Sequence, residues 1–379
     1  MRKIWGCFAI LVLATCGCQP VEEKPKLTEN PNVFTMDITP GKEYTPQLEV
    51  LLPDGCPVPA GLALEPMSGK IFVNVLNSGK ICAFKGRHTL EILAEYDSAP
   101  ATALPRGLAF GPEGHLYVCD RGRILRLDLQ TKKMTAVAEG LGEPTDLLWH
   151  EDVLYVADAR LADGPTDAFG CGGVWRFTKA ELRDKSLKLT ATTKDPHVWA
   201  ICPVSKVGRE DSAGLGGLAW AWDALYGGNF GDGVMFRMVP DGDSGKAKME
   251  KALDEPTVHC CAGMAYDPKT DLLYLCDSQA NAIRTLSKTG VPGWIWLNKD
   301  TTGDDGELDQ PASCVIRDGL LYIANQDVPL PGMKNSVGPD KPYSISTIPL
   351  EPWTRPAPPK VKEVKPEDIR LEDLPGEGT

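Results

Sequence analysis

Gly107-Leu-Ala-Phe-Gly-Pro-Glu-Gly-His-Leu-Tyr-Val-Cys-Asp120 carries the plan of most of the chain. A small residue opens an apolar run, Pro112-Glu-Gly114 supplies a turn, and a second run of the form Leu-Tyr-Val-x-Asp follows. Two short apolar runs around turn residues read as a pair of β-strands. The plan recurs at Gly61-Leu-Ala-Leu with Ile71-Phe72-Val73, and at Asp146-Leu-Leu-Trp with Leu154-Tyr155-Val156-Ala157-Asp158. Three more copies are Gly217-Leu-Ala-Trp with Leu225-Tyr226-Gly-Gly-Asn229, Gly263-Met-Ala-Tyr with Leu273-Tyr274-Leu275-Cys276-Asp277, and Ser313-Cys-Val-Ile with Leu321-Tyr322-Ile323-Ala324-Asn325.

The aromatic residues of the second runs are spaced 45, 38, 71, 48 and 48 residues apart from Phe72 onward. A period in the forties with two recognisable strands is what a four-stranded propeller blade gives, since outer strands vary more than inner ones. The expectation is therefore an all-β chain folded as a six-bladed β-propeller. Ile124-Leu-Arg-Leu, Val174-Trp-Arg-Phe, Val234-Met-Phe-Arg-Met and Ala282-Ile-Arg-Thr-Leu read as third strands. The long interval predicts an insertion around 159–173 and 190–212, and only 177–189 looks helical. Gln47-Leu-Glu-Val-Leu-Leu is expected to close the ring beside Tyr343-Ser-Ile-Ser-Thr-Ile, removing exposed strand edges.

The ends of the chain have a different composition. Arg2 and Lys3 precede an apolar segment, Ile4 to Ala14, too short to span a bilayer, which needs about 20 residues. Leu13-Ala14-Thr15-Cys16 resembles the lipobox at which bacteria attach lipid to a cysteine and cut before it. Cys16 is the expected lipid site, with Cys18 as the alternative; an ordinary cleaved signal peptide is the competing reading. Residues 1–16 are thus assigned to the leader, 17–45 to a flexible tether rich in Pro, Glu, Lys and Thr, 46–352 to the propeller, and 353–379 to a disordered tail. The protein is expected to be exported and anchored by its lipid at a bacterial cell envelope, periplasmic or at the surface.

The formal charge of −12 becomes −14 once Arg2 and Lys3 leave with the leader. Such a chain repels phosphate backbones, so nucleic acid is not an expected partner. Among the 12 cysteines there is no C-x-x-C pair, which disfavours zinc ribbons, thioredoxin-like centres and c-type haem. Cys119 and Cys276 occupy equivalent strand positions and read as small buried side chains. Cys56, Cys202, Cys260 and Cys261 fall in segments read as entering inner strands and are the disulfide candidates for an oxidising compartment.

Pro105-Arg-Gly-Leu-Ala-Phe-Gly-Pro-Glu-Gly-His-Leu-Tyr-Val-Cys-Asp120 and Ala262-Gly-Met-Ala-Tyr-Asp-Pro-Lys-Thr-Asp-Leu-Leu-Tyr-Leu-Cys-Asp-Ser278 resemble blades of the regucalcin/gluconolactonase family and of the related NHL-repeat propellers. The resemblance covers residues 55–350 and concerns strands and turns, which lactonases share with scaffolds. It implies one divalent metal at the ring centre, held by an acidic residue or Asn just before the Gly that opens several inner strands. Hard cations want such oxygen ligands. Here those places hold Ala60, Arg106, Thr145, Gly216, Ala262 and Ala312. The nearest carboxylate is Asp146.

Asp120, Asp158, Asn229, Asp277 and Asn325 recur at one position of the repeat. They read chiefly as side chains capping the turns that follow, and secondarily as a ring for calcium or an amino sugar. The acidic stretch Asp300 to Asp309 lacks EF-hand spacing and reads as a solvated loop. His259 beside Cys260-Cys261 suggests a soft metal or a thiol nucleophile less well than it suggests disulfide bonding or burial. Trp199, Trp220 and Trp222 are candidates for a pocket mouth, with core packing equally expected for Trp220 and Trp222, which alternation puts on one face.

The first functional expectation is a binding propeller, without the family's metal ligands and with no cofactor, taking a small molecule or an envelope protein on the blade-entry face. The alternative is a metal-dependent lactonase or related hydrolase with a rearranged centre, with calcium or another divalent metal and with Asp146, Asp158 and Asp277 as candidates. A structural envelope protein is a third reading.

Overall fold

The computed structural model describes residues 45–53, 58–76, 78–86, 88–95, 107–163, 170–183, 186–204, 214–242, 244–253, 258–299, 301–328 and 341–350. The leader, Cys16, Cys18, the tether, Cys56, Arg106 and the tail lie outside the described residues. Among the described residues no helix is long and apolar enough to cross a membrane.

After β1 (Gln47–Leu51), blade one contains β2 (Val58–Leu64), β3 (Ile71–Leu76), β4 (Lys80–Gly86) and β5 (Thr89–Glu95). Blade two contains β6 (Leu108–Phe110), β7 (Leu116–Asp120), β8 (Arg123–Leu127) and β9 (Met134–Glu139). In blade three, β10 (Pro144–His150), β11 (Val153–Asp158) and β12 (Gly170–Thr178) are joined by β14 (Val198–Val204). Between them β13 (Leu187–Lys188) leaves the blade and pairs parallel to β9 of blade two. Blade four is β15 (Leu215–Ala221), β16 (Ala224–Asn229), β17 (Met235–Pro240) and β18 (Ala247–Leu253). Blade five is β19 (Cys261–Asp267), β20 (Leu272–Asp277), β21 (Ala282–Ser287) and β22 (Pro292–Leu297). The sixth blade has β23 (Pro311–Arg317), β24 (Leu320–Asn325) and β25 (Ser344–Pro349), and β1 completes it, with Leu48 opposite Ser346. The six-bladed ring and its closure by the N-terminal strand agree with the repeat.

The physics of the repeat explains the ring. The second strand of each blade is buried along most of its length, so both its faces need partners, and the neighbouring blades supply them. Buried apolar side chains accordingly form six clusters, one in each seam between blades. A fully buried Leu, Ile or Phe contributes about 1.5–3 kcal/mol by leaving water. Inner strands approach closely at the axis where they open with glycine. A Cβ built on Gly107 would lie 2.5 Å from Asp146 Cα, and one on Gly263 would lie 2.7 Å from Ala312 O.

Three expectations need correction. The segment 177–189 forms no α-helix among its described residues; it ends β12, makes turns and supplies β13. The expected insertion holds in its first part, since residues 159–169 separate β11 from β12, but its second part overlaps a true blade strand: 198–204 is the outer strand β14, and the other extra chain is the connection from β12 to it. Cys202, Cys260 and Cys261 form no disulfide: all three are buried thiols. Cys202 is on that outer strand rather than an inner one, where its thiol donates to Met249 Sδ at 3.8 Å. Cys261 fills the space that Gly228 leaves, where a Cβ would fall 2.4 Å from its sulfur.

Candidate functional site: the axial cavity

Residues from the second to the fourth position of all six inner-strand motifs, joined by the first-position residues Asp146 and Ser313, line a cavity of about 350 Å³. Its polar side chains at the first position are Asp146 and Ser313; four of the other motifs open with glycine. Both side chains bridge neighbouring blades. Asp146 accepts from its own Leu147 N–H at 2.9 Å through Oδ1 and from Leu218 N–H in blade four at 2.8 Å through Oδ2. Ser313 Oγ accepts from Leu62 N–H in blade one at 3.1 Å. The two bridges stand at opposite seams, three to four and six to one.

The fourth position of the motif lies at the other end of the cavity, where inner strands turn into second strands. Four of its six residues are aromatic: Phe110, Trp149, Trp220 and Tyr266. Each aromatic leans on a neighbour. Phe110 meets Phe72 edge-on at 5.0 Å, Trp149 meets Tyr117 at 5.1 Å, and Trp220 stacks on His150 at 3.7 Å. Tyr266 donates to Asp271 Oδ1 at 2.8 Å, and its phenol is pushed up to about 12, by burial first and by the Asp271 carboxylate second. Trp222 does not share a face with Trp220. The strand ends at Ala221, Trp222 takes a φ of 48°, and its ring turns to Tyr226 and Tyr266 while its N–H donates to Asp271. Trp199 is core, packed against Tyr155 at 5.1 Å.

The positions that the lactonase resemblance assigns to a metal are filled differently. Ala60, Ala262, Ala312 and Gly216 are buried and offer no side-chain oxygen. Thr145, also buried, donates its hydroxyl to Leu215 O at 2.7 Å. With Asp146 already bonded to two backbone N–H groups, the donor set does not fit a hard cation. Among the described residues no group of three or more His, Cys, Asp or Glu side chains could hold a metal ion.

The recurring Asp and Asn residues are fully buried at the blade-entry end, away from the aromatic rim. In three blades they hold the backbone of the segment that enters the inner strand. Asp158 accepts from Gly142 N–H at 2.8 Å, Glu143 N–H at 2.7 Å, Arg160 N–H at 2.9 Å and the Trp175 indole at 2.8 Å. Burial raises its carboxyl above the usual range, against the pull of those donors. Asp277 accepts from His259 N–H and Nδ1 at 3.2 Å and from Arg284 Nε at 3.1 Å. Burial pushes its carboxyl up, but His259 and Arg284 outweigh it and leave it below the usual range. Asn325 accepts from Asp309 N–H at 3.2 Å, while Asn229 donates to Pro203 O at 3.2 Å. Asp120 pairs with Arg123. In the acidic loop, Asp304 is taken by Thr302 Oγ1 at 2.6 Å and Asp305 by Glu307 N–H at 2.9 Å.

The repeat marks the rim, because the fourth motif position is aromatic in four copies. It does not mark Ser313, whose bridge depends on a partner 251 residues away.

No protein-family model matches the chain, and neither does any curated protein. Solved structures do match. An oxidoreductase from Thermus thermophilus, described as a glucose dehydrogenase, aligns with a TM-score of 0.55 at 17% identity, over 80% of this chain and 99% of that one. A PQQ-bound aldose sugar dehydrogenase from Streptomyces coelicolor gives 0.54 at 15% identity, over 82% and 100%. A gluconolactonase from Xanthomonas campestris gives 0.51 at 14%, over 82% and 97%. The likeness is one of fold, and it agrees with the resemblance of the repeats to gluconolactonase-type propellers.

Proposed function

We propose that this protein is an exported, lipid-anchored binding propeller that takes a sugar-sized ligand into its axial cavity, without the divalent metal of the lactonases it resembles. The observation that carries the reading is at the inner-strand starts. Alanine, glycine and a threonine hydroxyl already bonded to Leu215 O stand where that chemistry needs oxygen ligands. The cavity meanwhile offers aromatic side chains at one end and Asp146 at the other, the mixture of apolar wall and few polar groups that small-molecule sites use. Gluconolactonase and aldose sugar dehydrogenase among the structural neighbours support a sugar or lactone as the ligand. Leu13-Ala14-Thr15-Cys16 supports anchoring through Cys16, with Cys18 as the second site.

The test uses the full chain purified from membranes. Metal content and melting temperature with and without EDTA are measured together with tryptophan fluorescence during titration with aldoses and aldonolactones. The reading expects no stoichiometric metal, indifference to EDTA, and saturable quenching that Trp149→Ala weakens. A stoichiometric stabilising metal, or EDTA-sensitive lactone hydrolysis, establishes the hydrolase instead. Absence of saturable quenching by any of these sugars removes the ligand class. Mass spectrometry of the mature N-terminus decides between Cys16, Cys18 and no lipid.

A further inference from the structure

A second pocket, of about 470 Å³, lies away from the axis where the ring closes. Its walls come from β1, from blade one and from blade six. Three cationic side chains line it: Lys70 and Lys85 from blade one and Arg317 from blade six. The same pocket contains one carboxylate of unusual standing. Glu49 is only 8% exposed, yet its carboxylate makes no ion pair or hydrogen bond among the described residues.

The backbone explains how Glu49 comes to be there. The register of β1 against β25 shifts between Leu48 and Val50, so Glu49 is the extra residue of a β-bulge. A bulge re-aims the side chain it carries. His88 fixes it from blade one, its Nδ1 donating to the Glu49 carbonyl. A regular strand would have left this position alternating with its neighbours, whereas here Glu49 and Val50 are both buried.

Opposite it, Arg317 is held rigid. Nη1 donates to Gly69 O at 3.2 Å, Nη2 donates to the Tyr322 hydroxyl, and the guanidinium carbon stands 4.6 Å over the Tyr322 ring. Phe84 meets the edge of that ring at 6.2 Å. Lys70 is paired with Glu91 at 3.0 Å and Arg317 Nε stands 3.8 Å from the exposed carboxylate of Asp318, whereas Lys85 is exposed and makes no ion pair among the described residues. A pocket with an unpaired carboxylate on one wall and cations on the others opposes a simple anion and a simple cation alike. A dipolar molecule satisfies both walls, and the aromatic pair suits an apolar portion between its charged ends. Glu49 lines the pocket without a cation of its own, and the ammonium group of a ligand supplies one.

We propose that this seam pocket binds a small zwitterion, an α-amino acid or short peptide, with its ammonium group on Glu49 and its carboxylate on Arg317 and Lys85. The occupant touches β1, blade one and blade six at once, so binding holds the ring shut and raises its melting temperature by mass action. The site is separate from the axial cavity, and neither reading depends on the other.

The test is calorimetric titration and thermal melting of the full chain with glycyl-phenylalanine and with free phenylalanine. Wild-type protein is expected to bind at least one of them saturably and to melt higher in its presence. N-acetylation or C-amidation of the ligand, Glu49→Gln, and Arg317→Met are each expected to weaken binding at least tenfold. Glu49→Gln keeps the backbone bond to His88, and its unliganded melting curve checks folding independently. The end-blocked ligands test the same charges on the unaltered protein. No saturable binding of either probe overturns the proposal, and so does binding that survives Glu49→Gln or tolerates both blocked ends.

Discussion

Asp146 in blade three and Leu218 in blade four are joined by a 2.8 Å hydrogen bond, the Leu218 N–H donating to Asp146 Oδ2. Across the ring, Ser313 and Leu62 repeat the arrangement with a hydroxyl. The one carboxylate at an inner-strand start is therefore an inter-blade bridge. Replacing it leaves backbone donors without partners, which costs about 1–3 kcal/mol. Asp146→Ala is expected to lower the melting temperature by several degrees without changing metal content. A loss of bound metal in that variant would assign Asp146 to a metal site instead.

Gly263 opens β19 where a Cβ would meet Ala312 O at 2.7 Å and Ser313 Cα at 2.8 Å, both of them backbone. Gly263→Ala must push two inner strands apart, and overpacking of this kind costs about 1–3 kcal/mol. Gly242, whose added Cβ meets nothing within 4 Å, is the control. Urea denaturation of the two variants is expected to separate them, with Gly242→Ala close to the parent.

The Asp277 carboxyl is held below its ordinary value: burial raises it, and the bonds from His259 together with the Arg284 charge more than compensate. A carboxyl depressed in the folded state adds stability above its unfolded pKa of 3.8 and loses it as pH falls through the folded value. The stability gap between wild type and Asp277→Asn is therefore expected to be full at neutral pH and to shrink below about pH 4. A gap that is constant with pH would show that the charge of Asp277 contributes nothing.

Burial pushes Cys171 up to about 11, and Cys119, Cys261 and Cys276 rise well above the ordinary thiol value for the same reason. Thiolate is the reactive form, so these residues are expected to resist alkylation in the native protein at about pH 8 and to react fully in guanidinium. Peptide mapping after iodoacetamide treatment reads both states. Rapid native labelling of Cys261 would contradict its placement against Gly228.

The architecture is legible in the sequence because each blade repeats the same two strands, and because Leu48 and Ser346 belong to runs that can be matched as strand edges. What escapes depends on single residues that depart from the repeat. Trp222 departs from strand alternation because the hairpin bends at it, a positive φ that Tyr226, Tyr266 and Asp271 hold in place. The expected cysteine pairing rests on a shared rim that Cys202 does not reach, since an outer strand in blade three carries it. Glu49 leaves no trace in the pattern at all. A bulge adds one residue without altering composition, and only the register against β25 shows it.

Closure by β1 also sets an order of events for the growing chain. Gln47 receives the Thr347 hydroxyl from 300 residues further on, so the first of the described strands waits for the last of them. Contacts of such sequence separation are slow to form, because the intervening chain must be constrained before they yield anything. Until Ser344–Pro349 emerges, neither β1 nor β24 has its partner on β25. A chain arrested anywhere before that point holds finished blades but no finished ring. Closure of the ring thus rests on one late event, the pairing of β1 with β25.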